Sequence, residues 1–556
     1  MDGLYEAGAS RADSTDEGSG LYRAGVSIAP PVDLAIGAFS DEAPWVVEPE
    51  QLAWRGGVDD LRTATRASVP ALTRARRLPP GGRVLTVGAR LGWALATWAL
   101  FERRRDVSTS RAGLSRRLRE AFERLGPTYI KLGQILSSGE GIFPDELVHE
   151  FRKLRDAVPA EPFTTVRRIV EEDLGRPLGA VFAHVDPVPV AAASIAQVHA
   201  ATLRSGEAVV VKVQRPQVAG LVRKDLAAMS WIAPLLVGRI PVAALANPPA
   251  LVELFAETIV EELDFRLEAE NMLDIARVLA GTEQRALVVP RPHPELVTRR
   301  VLVMEQLDGF NWDDVTGMRA AGIDTARAVR ACMVSFLEGA MLFGVFHGDM
   351  HGGNLFVQGS GRVALLDYGI TGRLDEPRRL AFLRLLMGGT VNDVTMQMEA
   401  LRDLGALPVD VDIPAVMKDL GVDQPPKDPT TMTPEELTAE IRELTKKLLG
   451  YGARMPKELM LFVKNMLFCT STAMTMAPDA DIFQEIQHIA GYFATQHGEQ
   501  IAREVGIDPR TVKPDLDAMR AGMGLSADVE TITVREIEQR RALIRDRMQE
   551  HRRRRR

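Results

Sequence analysis

Cysteine is scarce in this chain of 556 residues, which has two, Cys332 and Cys469. Both lie in apolar, helix-like runs, so the chain lacks the disulfide framework of a small secreted domain. Its first twenty residues are polar and acidic, which excludes the apolar core of a secretory signal. We expect two buried thiols in a reducing, cytoplasmic compartment.

An excess of basic charge is also missing, because 75 acidic residues outnumber 68 lysines and arginines and give a net charge of −7. This balance gives no global attraction to nucleic acid, so we expect no nucleic-acid partner. The length predicts about two to four structural units. The hydrophobic content of 46% is that of a globular protein with sizeable cores.

Charge changes sign close to the N-terminus. Residues 1–60 are rich in Gly, Ala, Asp and Glu and show little periodicity, which predicts a largely disordered acidic segment. Between Arg62 and Arg119 there are fourteen arginines and two acidic residues. Residues 61–112 are therefore predicted to form a basic, amphipathic helical segment.

The apolar run Leu91–Phe101 lies inside this basic segment and is shorter than the roughly 20 residues that span a bilayer. One interpretation of residues 84–105 is a helix in an anionic membrane surface, with Trp93 and Trp98 at headgroup depth and arginines on phosphates. The alternative is a helix docked on the protein's own body or on another subunit. If the other subunit is a second copy of this chain, the assembly is a homodimer, which is an assembly to test.

The segment His347–Asn354, which reads HGDMHGGN, has the pattern of a phosphate-handling loop. Asp349 and Asn354 are separated by four residues, and Asp367 follows Asp349 by eighteen residues, after a short apolar run. This order is typical of the metal end of a kinase-type site. The first Asp orients or deprotonates a hydroxyl, and the Asn and second Asp supply the oxygen ligands that Mg²⁺ prefers. The alternative is a polar loop between two strands.

A lysine interrupts an apolar strand pattern earlier in the chain. A Ser205-Gly206 turn leads into Ala208–Val213, which predicts a hairpin whose second strand is buried on both faces. An unpaired buried ammonium is costly, so Lys212 needs a carboxylate partner or a phosphate. The alternative is a lysine on an edge strand that points to solvent.

Three further segments carry polar residues at regular spacing. Lys131 and Gln134 are three residues apart and share a helix face. A single acidic helix is predicted around residues 257–270, with Asp264 and Glu268 on one face. Glu305 ends a predicted central strand, and the hinge after it has backbone groups that an adenine ring would meet.

In this order the motifs resemble the UbiB/AarF family of atypical kinase-like proteins, over roughly residues 115–480. The matching elements are a K-x-G-Q helix, an alanine-rich nucleotide loop, the β3 lysine, an E-x-D motif with a helix glutamate, and the catalytic and metal positions. In chain order these are Lys131, Gln134, Ala191, Ala192, Ala193, Ser194, Lys212, Glu262, Asp264, Glu268, Asp349, Asn354 and Asp367.

The resemblance implies an α+β, bilobal protein-kinase-like fold with a small β-rich N-lobe, a helical C-lobe, an N-terminal helical extension and extra C-terminal helices. The chain divides accordingly into units that follow the motifs and composition. They are the acidic segment 1–60, the basic segment 61–112, the K-x-G-Q extension 113–160, the N-lobe with a helical insert 161–308, the C-lobe 309–480, and the C-terminal helices with an arginine-rich tail 481–556.

The resemblance also implies roles for these residues. Lys212 pairs with Glu268 and holds phosphates of ATP or ADP, with Glu305 and the alanine-rich loop as further nucleotide contacts. Asn354 and Asp367 bind Mg²⁺, and Asp349 takes the catalytic-base position. In the regulatory K-x-G-Q element, Lys131 contacts Glu262 or Asp264, and its helix blocks access for peptides.

The sequence departs from the family pattern in the catalytic loop, which has Met350 and Gly352 where prolines are common. Gly139–Gly141 replaces an arginine-containing turn, and Tyr368 follows the metal-binding Asp367.

The resemblance implies an ATPase or a small-molecule or lipid-linked phosphotransferase, which supports isoprenoid quinone or related lipid metabolism peripherally at the inner face of the membrane. Two alternatives stay open. One is a small-molecule kinase of the aminoglycoside or choline type, whose H-G-D-x-H-x-x-N loop fits almost as well. The other is a nucleotide-sensing scaffold without catalysis.

Overall fold

The computed structural model describes residues 58–74, 78–103, 107–137, 144–154, 159–236, 248–282, 286–421 and, with short gaps, 432–554. The predicted disordered segment lies almost entirely outside these residues, as does the departure at Gly139–Gly141. Both cysteines are free and buried, as predicted from their apolar surroundings.

Seven α-helices precede the first strand in the described residues, and the first five are α1 Val58–Leu72, α2 Gly82–Thr97, α3 Val107–Leu125, α4 Pro127–Ser137 and α5 Asp145–Phe151. Gly126 joins α3 to α4 with a φ of 101°, a conformation that favours glycine, and Pro127 starts α4 at a position where proline fits. Gly133 faces the side chains of Leu154, Phe122 and Phe151. A Cβ at Gly133 would lie 2.2 Å from Leu154 Cδ1, so glycine allows α4 to pack this closely.

The first lobe combines helices with an antiparallel sheet. Its elements are α6 Phe163–Leu174, α7 Leu178–Val181, β1 Phe182–Val185, β2 Ala191–Ala192, β3 Ala196–Leu203, β4 Ala208–Gln214, α8 Val218–Leu236, α9 Pro248–Glu262, α10 Phe265–Gly281, β5 Leu287–Val288 and β6 Val301–Glu305. The strand order is β1-β3-β4-β6, with β2 also paired to β3, whereas β5 belongs to a sheet of the second lobe.

Strand β4 is internal, and of its two faces, both predicted to be buried, one is buried and the other is partly buried. Val209, Val211 and Val213 are buried in a cluster with residues of α6. Because side chains alternate along a strand, Lys212 lies on the opposite face. Lys212 pairs in register with Val198 on β3 and Leu302 on β6, so the edge-strand alternative is also excluded.

The predicted single acidic helix is two helices. Helix α9 ends at Glu262 and α10 begins at Phe265. The Asp264 side chain accepts a hydrogen bond from the Arg266 N–H and caps α10. This break places Glu268 in the first turn of α10.

The second lobe follows β6 and contains two small sheets and helices. Its elements are β7 Phe310–Asn311, α11 Val315–Ala320, α12 Thr325–Glu338, β8 Val345–His347, β9 Leu355–Val357, β10 Val363–Leu365, β11 Thr371–Arg373, α13 Glu376–Thr390, α14 Val394–Asp403 and α15 Ile413–Leu420. Strand order is β5-β10-β9-β7 in one sheet, and β8 pairs with β11 in the other. The loop with the sequence HGDMHGGN, which we call the catalytic loop after its predicted role, therefore connects β8 to β9.

Four further described helices complete the chain: α16 Lys457–Met476, α17 Ile482–Val505, α18 Leu516–Gly522 and α19 Val534–Arg554. Helix α16 packs into the second lobe through Phe462, whose ring centroid is 5.0 Å from that of Phe336 and 4.5 Å from that of Phe382. Together with its buried Leu459 and Leu461, these contacts define an internal face for α16.

Two described helices, Gly82–Glu102 and Lys457–Met476, are long and apolar enough to cross a membrane by length and composition alone. The first is longer than the apolar run predicted, because it begins at Gly82 and ends in a π-helical turn. Its Val84 and Val87 are buried, and Arg83 forms an ion pair with buried Asp225 on α8 at 2.5 Å. One side of α2 is therefore docked on the protein body.

Candidate active site

The centre of the cleft is an ion-pair network around Lys212. Its Nζ lies 2.6 Å from Glu268 Oε1 and 3.6 Å from Asp367 Oδ1. Strand β4 supplies the lysine, α10 the glutamate, and the segment after β10 the aspartate. The predicted pair between Lys212 and Glu268 is confirmed.

Opposing effects set the charges of this network. Burial disfavours the Lys212 ammonium, but Asp367 and Glu268 outweigh it and raise the pKa of Lys212 above its ordinary value. Partial burial likewise disfavours the Asp367 carboxylate, yet the neighbouring Lys212 and Lys131 lower the pKa of Asp367 to about 2. Both groups are therefore charged at neutral pH.

The catalytic loop is fixed by its own polar residues and by the chain after β10. The Asp349 N–H donates to His347 Nδ1 at 3.2 Å, and His347 Nε2 hydrogen-bonds the Asp367 carbonyl. The Asn354 side chain donates through Nδ2 to the Asp349 carbonyl at 3.0 Å. These bonds bring the three residues predicted from the HGDMHGGN pattern into one cleft with Lys212.

The pair Asn354 and Asp367 fits a magnesium ion shared with phosphates. The hydrogen bond of Asn354 uses the amide nitrogen, and Asp367 accepts from the Gly369 N–H through one carboxylate oxygen at 2.9 Å. Among the described residues, no group of three or more His, Cys, Asp or Glu is placed to hold a metal. Mg²⁺ typically takes one or two protein oxygens and completes its shell with phosphates and water.

Helix α16 contributes two residues that the sequence analysis did not assign to the site. Lys464 Nζ forms an ion pair with Asp349 Oδ1. The Asn465 amide donates to the His347 carbonyl, and its Oδ1 accepts from the Met350 N–H at 3.1 Å. A lysine within the apolar stretch of α16 was the only sequence signal for this contact.

The Met350 N–H bond gives the departure from the family pattern a structural role. Proline lacks a backbone N–H, so a proline at position 350 would leave the buried Asn465 oxygen without this donor. In this chain, Asn465 on α16 therefore holds the loop backbone at Met350.

Helix α4, which we call the lid, is tied to the cleft by an ion pair. Lys131 Nζ lies 2.9 Å from Glu262 Oε1, and both side chains are largely buried. Of the two predicted partners, the structure selects Glu262, because Asp264 instead pairs with Arg266 at 2.7 Å. Gln134, one turn after Lys131, is half-buried on the lid.

Burial and the partner charges compete at the lid contact. Burial raises the pKa of Glu262 to about 7 even though Lys131 favours its charged form. Burial also opposes the charge of Lys131, but Glu262, Asp349 and Asp367 together raise its pKa. The lysine therefore stays charged, while the glutamate titrates close to neutral pH.

The predicted nucleotide contacts lie on the sheet. Ala191 and Ala192 form β2, Ser194 is buried, and the Ala193 carbonyl accepts from Arg215 Nε at 2.9 Å. The Glu305 carboxylate accepts from the Arg291 N–H at 3.2 Å, at the end of β6. The alanine-rich turn is thus braced by a buried arginine, and its nucleotide role stays a prediction, as does that of Glu305.

A contact from the N-terminal extension reaches the back of the segment that carries Asp367. Asn271 on α10 donates to the Tyr368 carbonyl at 2.8 Å, and its Oδ1 accepts from Arg373 at 2.8 Å and from Arg62 on α1 at 3.1 Å. Helix α1 is therefore linked through one side chain to the residue after Asp367.

The fold and the site together define a kinase-like protein, a class that generally binds nucleotides. Residues 153–401 match the model of the ABC1 atypical kinase-like domain. Uncharacterized protein Rv0647c of Mycobacterium tuberculosis is 36% identical over 397 residues, or 68% of this chain and 77% of that protein. The chain belongs to the ABC1 family of atypical kinase-like proteins, which includes AarF and UbiB.

Two further relatives carry kinase names. A chloroplastic, uncharacterized aarF domain-containing protein kinase of Arabidopsis thaliana is 32% identical over 395 residues, which covers 66% of this chain and 73% of the relative. The probable protein kinase UbiB of Marinobacter nauticus is 35% identical over 289 residues, which covers 51% of each chain.

Proposed function

We propose that this protein binds Mg²⁺ and ATP and acts as an atypical kinase or ATPase on a small or lipid-linked acceptor. The observation that carries the proposal is the convergence of Lys212, Glu268 and Asp367 within ion-pair distance on three separate elements. Such a cation between two carboxylates is the arrangement that orders nucleotide phosphates in kinases.

In this proposal Asn354 and Asp367 hold Mg²⁺, which neutralises phosphate charge, and Lys212 holds the α- and β-phosphates. The acceptor oxygen attacks the γ-phosphorus and forms a P–O bond, while the bond to the β,γ-bridging oxygen breaks and ADP leaves with its electron pair. Burial opposes the charge of Asp349, but Lys464, His351 and Lys131 hold its pKa well below the usual range. Asp349 therefore orients the acceptor, whose proton passes to solvent.

The lid favours a small or lipid-linked acceptor over a protein. Lys131 on the lid is held by a buried ion pair with Glu262 and lies close enough to Asp349 and Asp367 to feel their charges, so we infer that a folded polypeptide would have to displace the lid to reach Asp349. Breaking a buried pair by separating its charges is costly. With the membership in the ABC1 family, this supports a role in isoprenoid quinone or related lipid metabolism.

A membrane contact through residues 84–105 is part of the proposal. Leu85, Trp93 and Leu100 follow one another at helical spacing and are 74%, 67% and 77% exposed, on a helix whose other side is docked. Arg90, between Leu85 and Trp93, and Arg103, after Leu100, suit an anionic headgroup layer. In this proposal, lipid-soluble acceptors would be taken from the membrane surface.

Thermal unfolding with nucleotide tests the proposal. At one hundred times its Kd, Mg-ATP should stabilise the wild-type protein by about 2.7 kcal/mol. Lys212→Ala and Asp367→Asn should each lose most of this stabilisation, because each removes a phosphate or metal contact. Lys224→Ala, an exposed lysine on α8, is the matched control and should keep it.

The rate of ADP release should fall in the same variants that lose the stabilisation, and Asp367→Asn should be inactive. Wild-type binding with no ADP release, unchanged by Asp367→Asn, would instead favour the nucleotide-sensing scaffold. Robust turnover with aminoglycosides or amino alcohols would favour the small-molecule kinase.

A further inference from the structure

Lys464 contacts the catalytic loop from a helix far along the chain. It lies 115 residues after Asp349, and both side chains are mostly buried, with 24% of Lys464 and 18% of Asp349 exposed. The neighbouring Asn465 is fully buried and bonds the loop backbone on both sides of Asp349. The position of the Lys464 ammonium is therefore fixed relative to the loop.

The catalytic loop itself brings no permanently charged cation between Asp349 and Asn354, where the residues are Met350, His351, Gly352 and Gly353. During phosphoryl transfer, negative charge is spread over the three equatorial oxygens of the γ-phosphoryl group, and cations positioned there stabilise the transition state. Lys212 is engaged by Glu268 and Asp367, and Lys131 by Glu262. Lys464 is the lysine that contacts the acceptor side of the site.

We propose that Lys464 is a γ-phosphate-binding residue, which exchanges its ion pair with Asp349 for a γ-phosphate oxygen when Mg-ATP binds. This inference rests on the proposed function and specifies how the same site discriminates between nucleotides. Lysine suits the exchange, because its ammonium has three donors on a flexible stem. The exchange also frees the Asp349 carboxylate to accept a hydrogen bond from the acceptor hydroxyl.

An order of events follows from this exchange. While Lys464 occupies Asp349, an acceptor hydroxyl competes with an ammonium group for the same carboxylate. ATP removes that competitor and ADP does not, because ADP has no γ-phosphate. The acceptor should therefore bind productively after ATP, and the site should prefer ATP to ADP through Lys464.

The ratio of the Kd for Mg-ADP to the Kd for Mg-AMP-PNP, a non-hydrolysable ATP analogue, tests the assignment. Lys464→Met should lower this ratio by about tenfold, the worth of one charge-assisted hydrogen bond, and leave the Kd for Mg-ADP nearly unchanged. Lys464→Arg should keep most of the preference. Lys457→Met, seven residues earlier and about 10 Å along the same helix, should match wild type.

A double variant separates direct contact from a purely indirect effect, in which unpaired Asp349 repels the phosphate. If Asp349→Asn restores the ATP preference of Lys464→Met, the indirect effect is sufficient and the inference is wrong. An unchanged ratio in Lys464→Met, or an equal loss of affinity for both nucleotides, would also overturn it. If wild-type protein binds neither nucleotide, the proposed function itself fails, and this inference fails with it.

Discussion

The four carboxylates of the cleft differ in which of their neighbours controls their charge. Burial disfavours ionisation at all four, and at Glu262 and Glu268 it prevails over the lysine partners and raises the pKa. At Asp349 and Asp367 the lysines prevail, and the pKa is lowered. The two glutamates, which are lysine partners, therefore ionise less readily than the two aspartates, which stay charged at neutral pH.

The raised pKa of Glu262 predicts a pH-dependent stability. Between about pH 4.5 and 7 the folded protein keeps a proton on Glu262 that the unfolded chain has released, so the free energy of unfolding falls as pH rises. The contribution across this window is on the order of 2–3 kcal/mol. Urea unfolding of wild type and Glu262→Gln at several pH values measures it, and the variant should lack this component.

The low pKa of Asp367 acts in a separate window and with the opposite sign. Its stabilisation is present above about pH 3.8 and is lost as pH falls toward 2.

Identical pH profiles for wild type and Glu262→Gln between pH 4.5 and 7 would contradict the assignment of Glu262.

Single residues of the site were predictable where a sequence pattern implies a partner. A lysine inside a valine-rich strand needs a carboxylate, and Glu268 was identified as that carboxylate through the family resemblance, as the helix glutamate. Lys464 and Asn465 were not predicted, because their link to the loop exists only after α16 packs on the second lobe. Nothing in local sequence connects residues 115 positions apart.

At the scale of elements, α16 acts as the support of the catalytic loop. We expect Asn465→Ala to lower the free energy of unfolding by about 2–4 kcal/mol, because it leaves the His347 carbonyl and the Met350 N–H without their buried partner. The turnover of ATP should fall as well, since the loop that carries Asp349 loses its anchor. Chemical denaturation and a steady-state ATPase assay measure the two effects.

Ser471→Ala on the same helix is the control, because its hydroxyl is exposed and bonds only a carbonyl of its own helix. We expect its effect to stay within about 0.5 kcal/mol. Full activity in Asn465→Ala would show that the loop holds its position without α16.

Helix α2 offers a matched pair of tryptophans. Trp93 is exposed, whereas Trp98 donates its indole N–H to the Ser110 carbonyl at 2.7 Å and so joins α2 to α3. We expect Trp93→Ala to weaken co-sedimentation with anionic liposomes without loss of stability. Trp98→Ala should instead destabilise the protein by about 1–3 kcal/mol.

Binding of Trp93→Ala to liposomes at wild-type strength would remove α2 from the proposed membrane contact. Docking on the protein body would then be the main role of α2, in agreement with the second interpretation of the sequence.

The limits of sequence prediction at this scale are visible in two elements. Hydrophobic periodicity predicted one helix over residues 257–270. The capping hydrogen bond of Asp264 divides this region into two helices but leaves the hydrophobic spacing unchanged, so the periodicity did not reveal the break. The valine run of β4 was predicted to be buried on both faces, yet its second face borders the cleft. Both differences from the prediction help to form the site. The break between the two helices positions Glu268, and the face of β4 that borders the cleft positions Lys212.

For the whole molecule, metal and nucleotide should bind as one unit. Within the described residues the site offers two oxygen-bearing side chains to a metal, so phosphates must supply the other ligands. We expect Mg²⁺ alone to leave the unfolding temperature unchanged and ATP to need Mg²⁺ for its full effect. A thermal-shift titration with ATP, before and after EDTA, measures this.

A stabilising effect of Mg²⁺ without nucleotide would point to a metal site elsewhere in the chain. Equal effects of ATP with and without EDTA would show that Lys212 and its neighbours bind phosphate without a metal.

The order of the motifs was sufficient to predict the bilobal architecture, because each motif belongs to a known place in a kinase-like fold. The attachment of the outer helices was not predictable. Arg83 reaches Asp225, and Arg62 reaches Asn271, through contacts between segments that share no sequence pattern.

Three buried or nearly buried acids of the recognised domain, residues 153–401, take their cations from outside it. Asp225 depends on Arg83, Glu262 on Lys131, and Asp349 on Lys464. A truncated protein cut at those borders would leave three carboxyl groups without their cationic partners, which costs stability whether each group stays charged or takes up a proton. The excised domain should therefore express poorly or aggregate, and the smallest autonomous folding unit has to extend from α2 through α16.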